Sequence, residues 1–223
     1  MLITLDIETL PTNNAELIAS IASEIEHPKT MSKAETIAKW EVEDKPALVK
    51  AAVAKTSFDG TYGRILCIGL AIDNEAPIHY IGDEREVLDG FMAGLGAILP
   101  ESRYDPSAIF IGHNLTGFDL RFLWQRCVIN KINMSPTLAA ACKAKPWDKA
   151  VADTMLMWNP ERDRRISLDR LCKALGVQTS KGDMDGSKVH ETYLAGDLDK
   201  IAAYCRDDVS ATRECYWRMT FQA

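Results

Sequence analysis

Two carboxylates stand inside the most strand-like segment of the chain. Asp6 and Glu8 interrupt the apolar run LITLDIETL, which otherwise has the character of a buried strand. Residues two apart on a strand face the same side, so the pair should project together at or just past the C-terminal end of a strand over Leu2–Ile7, about 7 Å apart. Such a pair can bind a hard cation, although alone it is also typical of an ordinary strand end at the surface.

A third acid follows a second apolar strand. In IFIGHNLTGFDLRFL the strand runs into Gly112-His113-Asn114, a turn follows, and Asp119 lies in the first turn of a helix. The helix dipole favours a carboxylate there by about 0.3–1 kcal/mol, so a merely helix-stabilising role stays open for Asp119. We expect His113, at the end of its strand, to be structural.

The third cluster lies near the C-terminal end of the sequence, in IAAYCRDDVSATRECYW. On a helix, Tyr204 and Asp208 are four residues apart and therefore share one face, whereas Asp207 is turned away by about 100°. The spacing predicts that Tyr204 and Asp208 act together and that Asp207 lies outside the site or at its border.

If these acids converge, they need positive charge between them. Two carboxylates about 5 Å apart repel by roughly 3 kcal/mol at an effective dielectric constant near 20, so four in one site require protons or cations. Hard divalent cations prefer oxygen ligands, and two of them about 4 Å apart can clamp both oxygens of an in-line phosphoryl displacement. The acids on the first strand are therefore interpreted as metal ligands.

The combination resembles the three motifs of the DEDD 3′–5′ exonucleases, which have the ribonuclease H-like fold. The residues that carry the resemblance are Asp6-Ile7-Glu8-Thr9, Asn114 with Phe118-Asp119, and Tyr204-x-x-x-Asp208. The histidine subfamily has a histidine five residues before the last aspartate, and that position here is Ala203, so the chain resembles the tyrosine subfamily. The likeness extends to KGDMDGSKV and YCRDD and is strongest to the exonuclease domain of family-B DNA polymerases and related stand-alone exonucleases.

The resemblance implies a role for each matched residue. Asp6, Glu8 and Asp208 would hold one Mg²⁺ or Mn²⁺, and Asp6 would bridge to a second cation that Asp119 binds directly or through water. Tyr204 would orient the attacking water, and the product would be a 5′-nucleoside monophosphate released from a 3′ end.

The substrate would be a single strand of nucleic acid with a free 3′ end. Asn114 is expected to contact the terminal nucleotide, and Phe118 or Leu10 to stack on a base or wedge against it. The full set of expected substrate contacts is Thr9, Leu10, Asn114, Phe118 and Lys181. DNA is the preferred substrate because the proofreading domains that the chain resembles act on frayed DNA ends. An exoribonuclease with the same chemistry is the runner-up, and a non-catalytic nucleic-acid-binding module of the same fold is a further alternative.

The elements that must position these residues alternate between strands and helices, which indicates an α/β fold. The resemblance implies a mixed five-stranded sheet flanked by helices. The expected strands are Leu2–Ile7, Arg64–Ile72, Pro77–Ile81, Ala108–Gly112 and Ala150–Thr154. The expected helices are Glu84–Leu99, Gly117–Asn130, Ser167–Leu175 and Leu198–Met219. We interpret the whole chain, residues 1–223, as one exonuclease domain in which residues 11–60 form a helical insertion, although a separate domain is an alternative.

Composition narrows the remaining classes. With 223 residues, 47% hydrophobic residues and no long apolar stretch, the sequence has no span for a membrane, and with no legible targeting signal we expect a cytoplasmic protein. Six cysteines without a Cys-x-x-Cys pair predict reduced thiols. The net charge is −6, yet residues 131–181 contain ten basic and five acidic side chains, a plausible surface for phosphates or an ordinary solvated face.

Overall fold

The computed structural model describes residues 1–99, 102–161, 164–179, 182 and 184–222. The chain forms two compact units. The larger unit contains Met1–Thr9 and Ile65–Ala223, and the smaller unit contains Leu10–Arg64, which is the segment interpreted from the sequence as a helical insertion. No helix within the described residues has both the length and the apolar character that crossing a membrane requires.

The larger unit is built on a mixed five-stranded sheet. Its strands are β1 Leu2–Leu10, β2 Arg64–Ile72, β3 Ile78–Ile81, β4 Ile109–Gly112 and β5 Val151–Asp153. Their spatial order is β3-β2-β1-β4-β5, with β2 and β3 antiparallel, β4 parallel to β1, and β5 parallel to β4. The α/β fold class and the five expected strands are confirmed.

The helices fall into the two units. The smaller unit contains α1 Ala15–Glu24, α2 Ala34–Glu43 and α3 Lys45–Lys55. The larger unit contains α4 Glu84–Gly96, α5 Asp119–Ile129, α6 Pro136–Lys143, α7 Thr154–Trp158, α8 Leu168–Leu175, α9 Val189–Leu194 and α10 Leu198–Met219. The four expected helices are confirmed as α4, α5, α8 and α10. The short helices α6, α7 and α9 were not predicted from the sequence.

Strand β1 separates an apolar face from a polar one. Ile3, Leu5 and Ile7 all lie in the main apolar core, so the alternating residues between them, including Asp6, face the other side of the sheet. The strand also runs three residues further than expected, to Leu10, so Asp6 and Glu8 lie inside it rather than at its end.

Helix α5 is fixed in place by a buried ion pair. Arg126 donates from Nε and Nη2 to the two carboxylate oxygens of Glu84, at 2.8 and 2.7 Å. Glu84 also accepts a hydrogen bond from the backbone N–H of Ile65 at 2.7 Å, so one carboxylate links α4, α5 and the start of β2. Two parallel charge-assisted bonds hold a planar guanidinium in one orientation, which limits how far α5 can move.

Helices α8 and α10 pack together through a second, smaller apolar cluster. Leu171, Cys172 and Val177 meet Ala211 and Cys215 there. The sulfur atoms of Cys172 and Cys215 are 3.6 Å apart, a contact between thiols and not a disulfide. All six cysteines are free, as the sequence predicted.

The smaller unit has its own fixed points. Asn14 caps α1 by accepting hydrogen bonds from Glu16 N and Leu17 N, and Trp40 is buried between the ring of His27 and the ammonium of Lys45. An Asn at the N-cap satisfies backbone donors that the first helical turn leaves unpaired. The segment contains three helices, and the interpretation of the chain as one exonuclease domain with a helical insertion over residues 11–60 stays a prediction.

Candidate active site

The acids of β1 lie just beyond the end of the pairing between β1 and β4. The ladder pairs Leu2–Thr4 with Ile109–Ile111, so Asp6 lies two residues beyond its last pair. Glu8 is only 8% exposed. Parallel strands that stop pairing leave a crevice at their carboxyl ends, and here that crevice is lined by carboxylates.

Asp119 closes this crevice from the start of α5. It is 3% exposed, and its Oδ1 atom accepts a hydrogen bond from Ile7 N at 3.2 Å. Burial raises the pKa of Asp119 to about 8, with the nearby charges of Asp153 and Asp208 acting in the same direction and backbone hydrogen bonds opposing it. Asp119 therefore does more than stabilise its helix, because it contacts the strand that carries the other acids.

Helix α10 contributes Tyr204 and Asp208. Tyr204 and Asp208 line one pocket, and Asp208 is 8% exposed. Burial, followed by the charges of Asp208 and Glu8, raises the pKa of Tyr204 above its usual value, so the phenol stays protonated at neutral pH. Asp207 is exposed, as its turn away from this face predicted.

The acids act on one another. Burial raises the pKa of Asp6 well above its usual value, and the charges of Asp208, Glu8 and Asp119 raise it further. The pKa of Glu8 is raised by burial and then by Asp208. The charges that raise the pKa values of Asp6, Glu8 and Asp119 are mainly those of other acids, so without a cation these carboxyl groups hold protons more tightly than usual. Buried and rich in oxygen, this donor set fits hard divalent cations, which compete with those protons.

Cys205 belongs to the same cluster and was missed in the sequence. Ligand atoms of Asp6, Glu8 and Cys205 lie within 4.8 Å of one another, and Cys205 Sγ is 3.6 Å from Asp6 Oδ2. The signal was its position three residues before Asp208, which places it near the same helix face. A cysteine in such a helix pattern predicts a buried apolar residue, so the sequence did not indicate this contact.

Helix α10 reaches the acids because it lies very close to β2. A Cβ atom added at Gly69 would be 2.9 Å from both Cys205 Sγ and Val209 Cγ2, and 3.1 Å from the backbone oxygen of Cys205. Only glycine permits this approach without a shift of one element. The position of Asp208 and Tyr204 relative to the sheet therefore depends on the absence of a Cβ atom at Gly69 in β2.

Asp153, at the end of β5, holds the loop that follows β4 and was also missed. Its carboxylate accepts hydrogen bonds from Asn114 N, Thr116 N and the Thr116 hydroxyl, each at 3.0 Å, and from Met155 N at 3.2 Å. Asn114 has a φ of 63°, a left-handed conformation that asparagine tolerates better than most residues. The fixed loop sets where Asn114 and the first turn of α5 lie.

His113 is structural, as expected. Its Nε2 atom donates to the backbone oxygen of Ile166 at 2.9 Å, and its Nδ1 atom is 3.0 Å from Thr154 Oγ1. Burial lowers the pKa of His113, which favours the neutral ring. The two ring nitrogens thus join the end of β4 to the segment before α8 and to the start of α7.

The residues expected to contact the substrate differ in their burial. Phe118 is half-buried, packs against Phe122 with ring centroids 5.5 Å apart and borders the main core, while Thr9 is half-buried on β1. Leu10 is only 2% exposed, and its contact with a base stays a prediction. Lys181 lies outside the described residues.

The α/β fold with its mixed five-stranded sheet is shared with a family B DNA polymerase. The chain is similar over 99% of its length to the family B DNA polymerase from the hyperthermophilic archaeon Pyrobaculum calidifontis, with a TM-score of 0.59 and 16% sequence identity. It spans 24% of that polymerase chain.

The particular family follows from the sequence match. Residues 65–223 match the family described as a predicted 3′–5′ exonuclease related to the exonuclease domain of PolB, and the chain belongs to this family. The matched region contains Asp119, Tyr204 and Asp208 but begins after Asp6 and Glu8. No curated protein matches the sequence.

Proposed function

We propose that this protein is a metal-dependent 3′–5′ exonuclease of the tyrosine subfamily, which removes nucleotides from the 3′ end of single-stranded DNA. The observation that carries the proposal is the buried crevice in which Asp6, Glu8, Asp119 and Asp208 act on one another beside the Tyr204 hydroxyl. Membership of a family of predicted exonucleases supports the same conclusion.

The acids would bind two divalent cations. Asp6, Glu8 and Asp208 would hold one Mg²⁺ or Mn²⁺, and Asp6 and Asp119 would hold the second. When bound, such a pair lowers the pKa of the attacking water and neutralises charge on the departing 3′-oxygen.

Tyr204 would position the water rather than take its proton. Its pKa lies above the usual value, so at neutral pH the phenol keeps its proton and serves as a hydrogen-bonding group. Tyr204 lines the same pocket as Asp208, so its hydroxyl would act beside a carboxylate that we propose as a metal ligand. A water held between the hydroxyl and the scissile phosphate would be aligned for in-line attack.

The terminal nucleotide would lie against the loop that Asp153 fixes. Asn114 is the residue that we propose for its polar contact, and Phe118, half-buried at the N-cap of α5, the residue for base contact. Thr9, on the same strand as the acids, and Lys181 complete the proposed contacts. Polar groups on a fixed backbone orient a substrate at a smaller entropic cost than mobile ones do.

A direct test compares DNA and RNA strands of one sequence, each labelled at the 5′ end, with Mg²⁺, Mn²⁺ or a chelator. We expect a ladder that shortens from the 3′ end only with metal, faster on DNA. Faster shortening of RNA would favour the exoribonuclease. Binding without shortening, under every metal condition, would support the non-catalytic module and contradict the proposal. The Asp208→Asn variant serves as the control for contaminating nucleases.

A further inference from the structure

Two exposed tryptophans flank β5, the edge strand of the sheet. Trp147 is 79% exposed in the connection between α6 and β5, and Trp158 is 40% exposed at the end of α7, which directly follows β5. An exposed aromatic ring is by itself ordinary at a protein surface, but next to positive charge it offers a place for a nucleic-acid base.

The turn that carries Trp147 is well defined and positively charged. Lys145 N donates to Asp148 Oδ2 at 2.7 Å, and Asp148 N donates back to Lys145 O at 2.9 Å. The carboxylate of Asp148 is thus used by the backbone, while Lys143, Lys145 and Lys149 are all exposed around the tryptophan. An aromatic ring among lysines offers base stacking and phosphate attraction in one place.

The turn and Trp158 lie towards opposite ends of strands β4 and β5. The register pairs Phe110 with Val151, so the turn before β5 lies towards the N-terminal ends of the parallel strands. The segment after α7 lies at the C-terminal ends of these strands, because Ile166 O accepts a hydrogen bond from His113 Nε2 at the end of β4. The two ends of strands β4 and β5 are only about 10 Å apart.

The segment after Trp158 adds positive charge on the side of the candidate active site. Arg164 and Arg165 are exposed there, and Asn159 Nδ2 donates to Arg164 O at 2.9 Å, which shapes the turn. Arg164 also forms an exposed ion pair with Glu161 at 3.4 Å, so Arg165 is the more available of the two for a phosphate.

We infer that the edge of the larger unit at β5 is a binding track for the single strand upstream of the cleaved end. The β5 track has two parts. Near the C-terminal ends of the parallel strands, on the side of the candidate active site, it contains Trp158 and Arg165. At the N-terminal ends of these strands it contains Lys145, Trp147 and Lys149. Bases stack on the two tryptophans, and the backbone phosphates meet the lysines and Arg165. This inference rests on the proposed function, and it names the strand, DNA or RNA, as the occupant of the track.

The track is tested by binding in the presence of a chelator, so that hydrolysis plays no part. The probes are fluorescently labelled long strands, oligothymidylate and oligouridylate of about 20 nucleotides. Trp147→Ala should weaken binding of these long strands by about fivefold to a hundredfold. Trp147→Phe should retain most of the affinity.

The lysines are tested through salt. Replacing Lys145 and Lys149 with alanine should reduce the slope of log affinity against log salt by about 1.4, since each phosphate neutralised on a single strand contributes about 0.7. Replacing both with arginine should keep the slope of the wild type. Trp124→Ala, which removes a tryptophan of similar exposure (41%) on α5, is the matched control and should bind normally.

The outcomes separate the track from the proposed function. Equal binding of long strands by the wild type, the Trp147→Ala variant and the double lysine variant would overturn the track, whatever the activity. The variants could lose long-strand binding as expected while the wild type hydrolyses neither DNA nor RNA with metal. That result would retain the track and overturn the exonuclease. Weakening of one probe only would assign the track to that nucleic acid.

Discussion

The carboxylate of Asp119 accepts a hydrogen bond from the backbone N–H of Ile7 at 3.2 Å, which joins the first turn of α5 to the strand that carries Asp6 and Glu8. At this point β4 no longer pairs with β1. A side chain from the next helix therefore occupies a place beside the strand that backbone pairing leaves open. Through this contact, Asp119 shares one crevice with two acids that lie far earlier in the sequence.

Asp119→Asn separates the charge of this residue from its hydrogen bond. The amide oxygen can still accept from Ile7 N, so we expect the fold to be kept and the exonuclease rate to fall by at least about a hundredfold, because the proposed second cation loses a ligand. The rate is measured on labelled single-stranded DNA with Mg²⁺. Circular dichroism provides the folding control, and wild-type activity would remove Asp119 from the site.

The stability of the metal-free protein should fall as the pH rises. The pKa of Asp119 is 3.8 in its usual state and about 8 in the folded protein, so the folded state binds protons more tightly. Its contribution to stability is fully present below about pH 4 and is lost as the pH rises through 8. The raised pKa values of Asp6 and Glu8 act in the same direction.

Divalent cations should reverse this trend, because they compete with protons for the same oxygens. Thermal unfolding in chelator, Mg²⁺ and Mn²⁺ at several pH values measures both effects. We expect a larger metal-induced rise in Tm at pH 8 than at pH 5, and a weaker pH dependence in the Asp119→Asn variant. A metal-free protein that becomes more stable between pH 5 and pH 8 would contradict the assignment.

Tyr204→Phe removes one hydroxyl and keeps the ring. We expect the rate to fall by about a hundredfold, because the water loses an orienting contact, while the metal-induced rise in Tm stays close to that of the wild type. Rates under single-turnover conditions separate this effect from slow product release. An equal loss of metal-induced stabilisation would show that the hydroxyl acts by holding the ligands instead.

The last acidic ligand is chosen by comparing neighbours on α10. Asp208→Asn should abolish measurable turnover, because it removes a buried carboxylate that we propose as a metal ligand and that contacts Tyr204. Asp207→Asn is the matched control, since Asp207 is exposed and should change the rate by less than about threefold. The reverse order of the two effects would mean that Asp207 is the ligand.

Gly69→Ala tests the close approach of α10 to β2. The new Cβ would lie 2.9 Å from Cys205 Sγ and Val209 Cγ2, so the helix must shift, and we expect a loss of about 1–3 kcal/mol in the free energy of unfolding. The shift should also slow hydrolysis by moving Tyr204 and Asp208. Urea unfolding measures the stability change. Gly186→Ala, whose Cβ would meet no atom within 4 Å, is the control and should leave stability within about 0.5 kcal/mol.

The sequence by itself determined the strands, the long helices and which functional residues share a face within one element. Alternation along β1 assigns Asp6 and Glu8 to one face, and the four-residue spacing assigns Tyr204 and Asp208 to one side of α10 and turns Asp207 away. These patterns are local, because they depend only on the periods of a strand and a helix.

Tertiary structure alone decided which side chains from different elements meet. Cys205 approaches Asp6 because Gly69 lets α10 lie close to the sheet, and Asp153 fixes the Asn114 loop because β5 ends beside β4. Leu10 is buried although its sequence position next to the acids suggested contact with a base. Such contacts join residues far apart in the chain, so they follow from how elements pack and not from any local period.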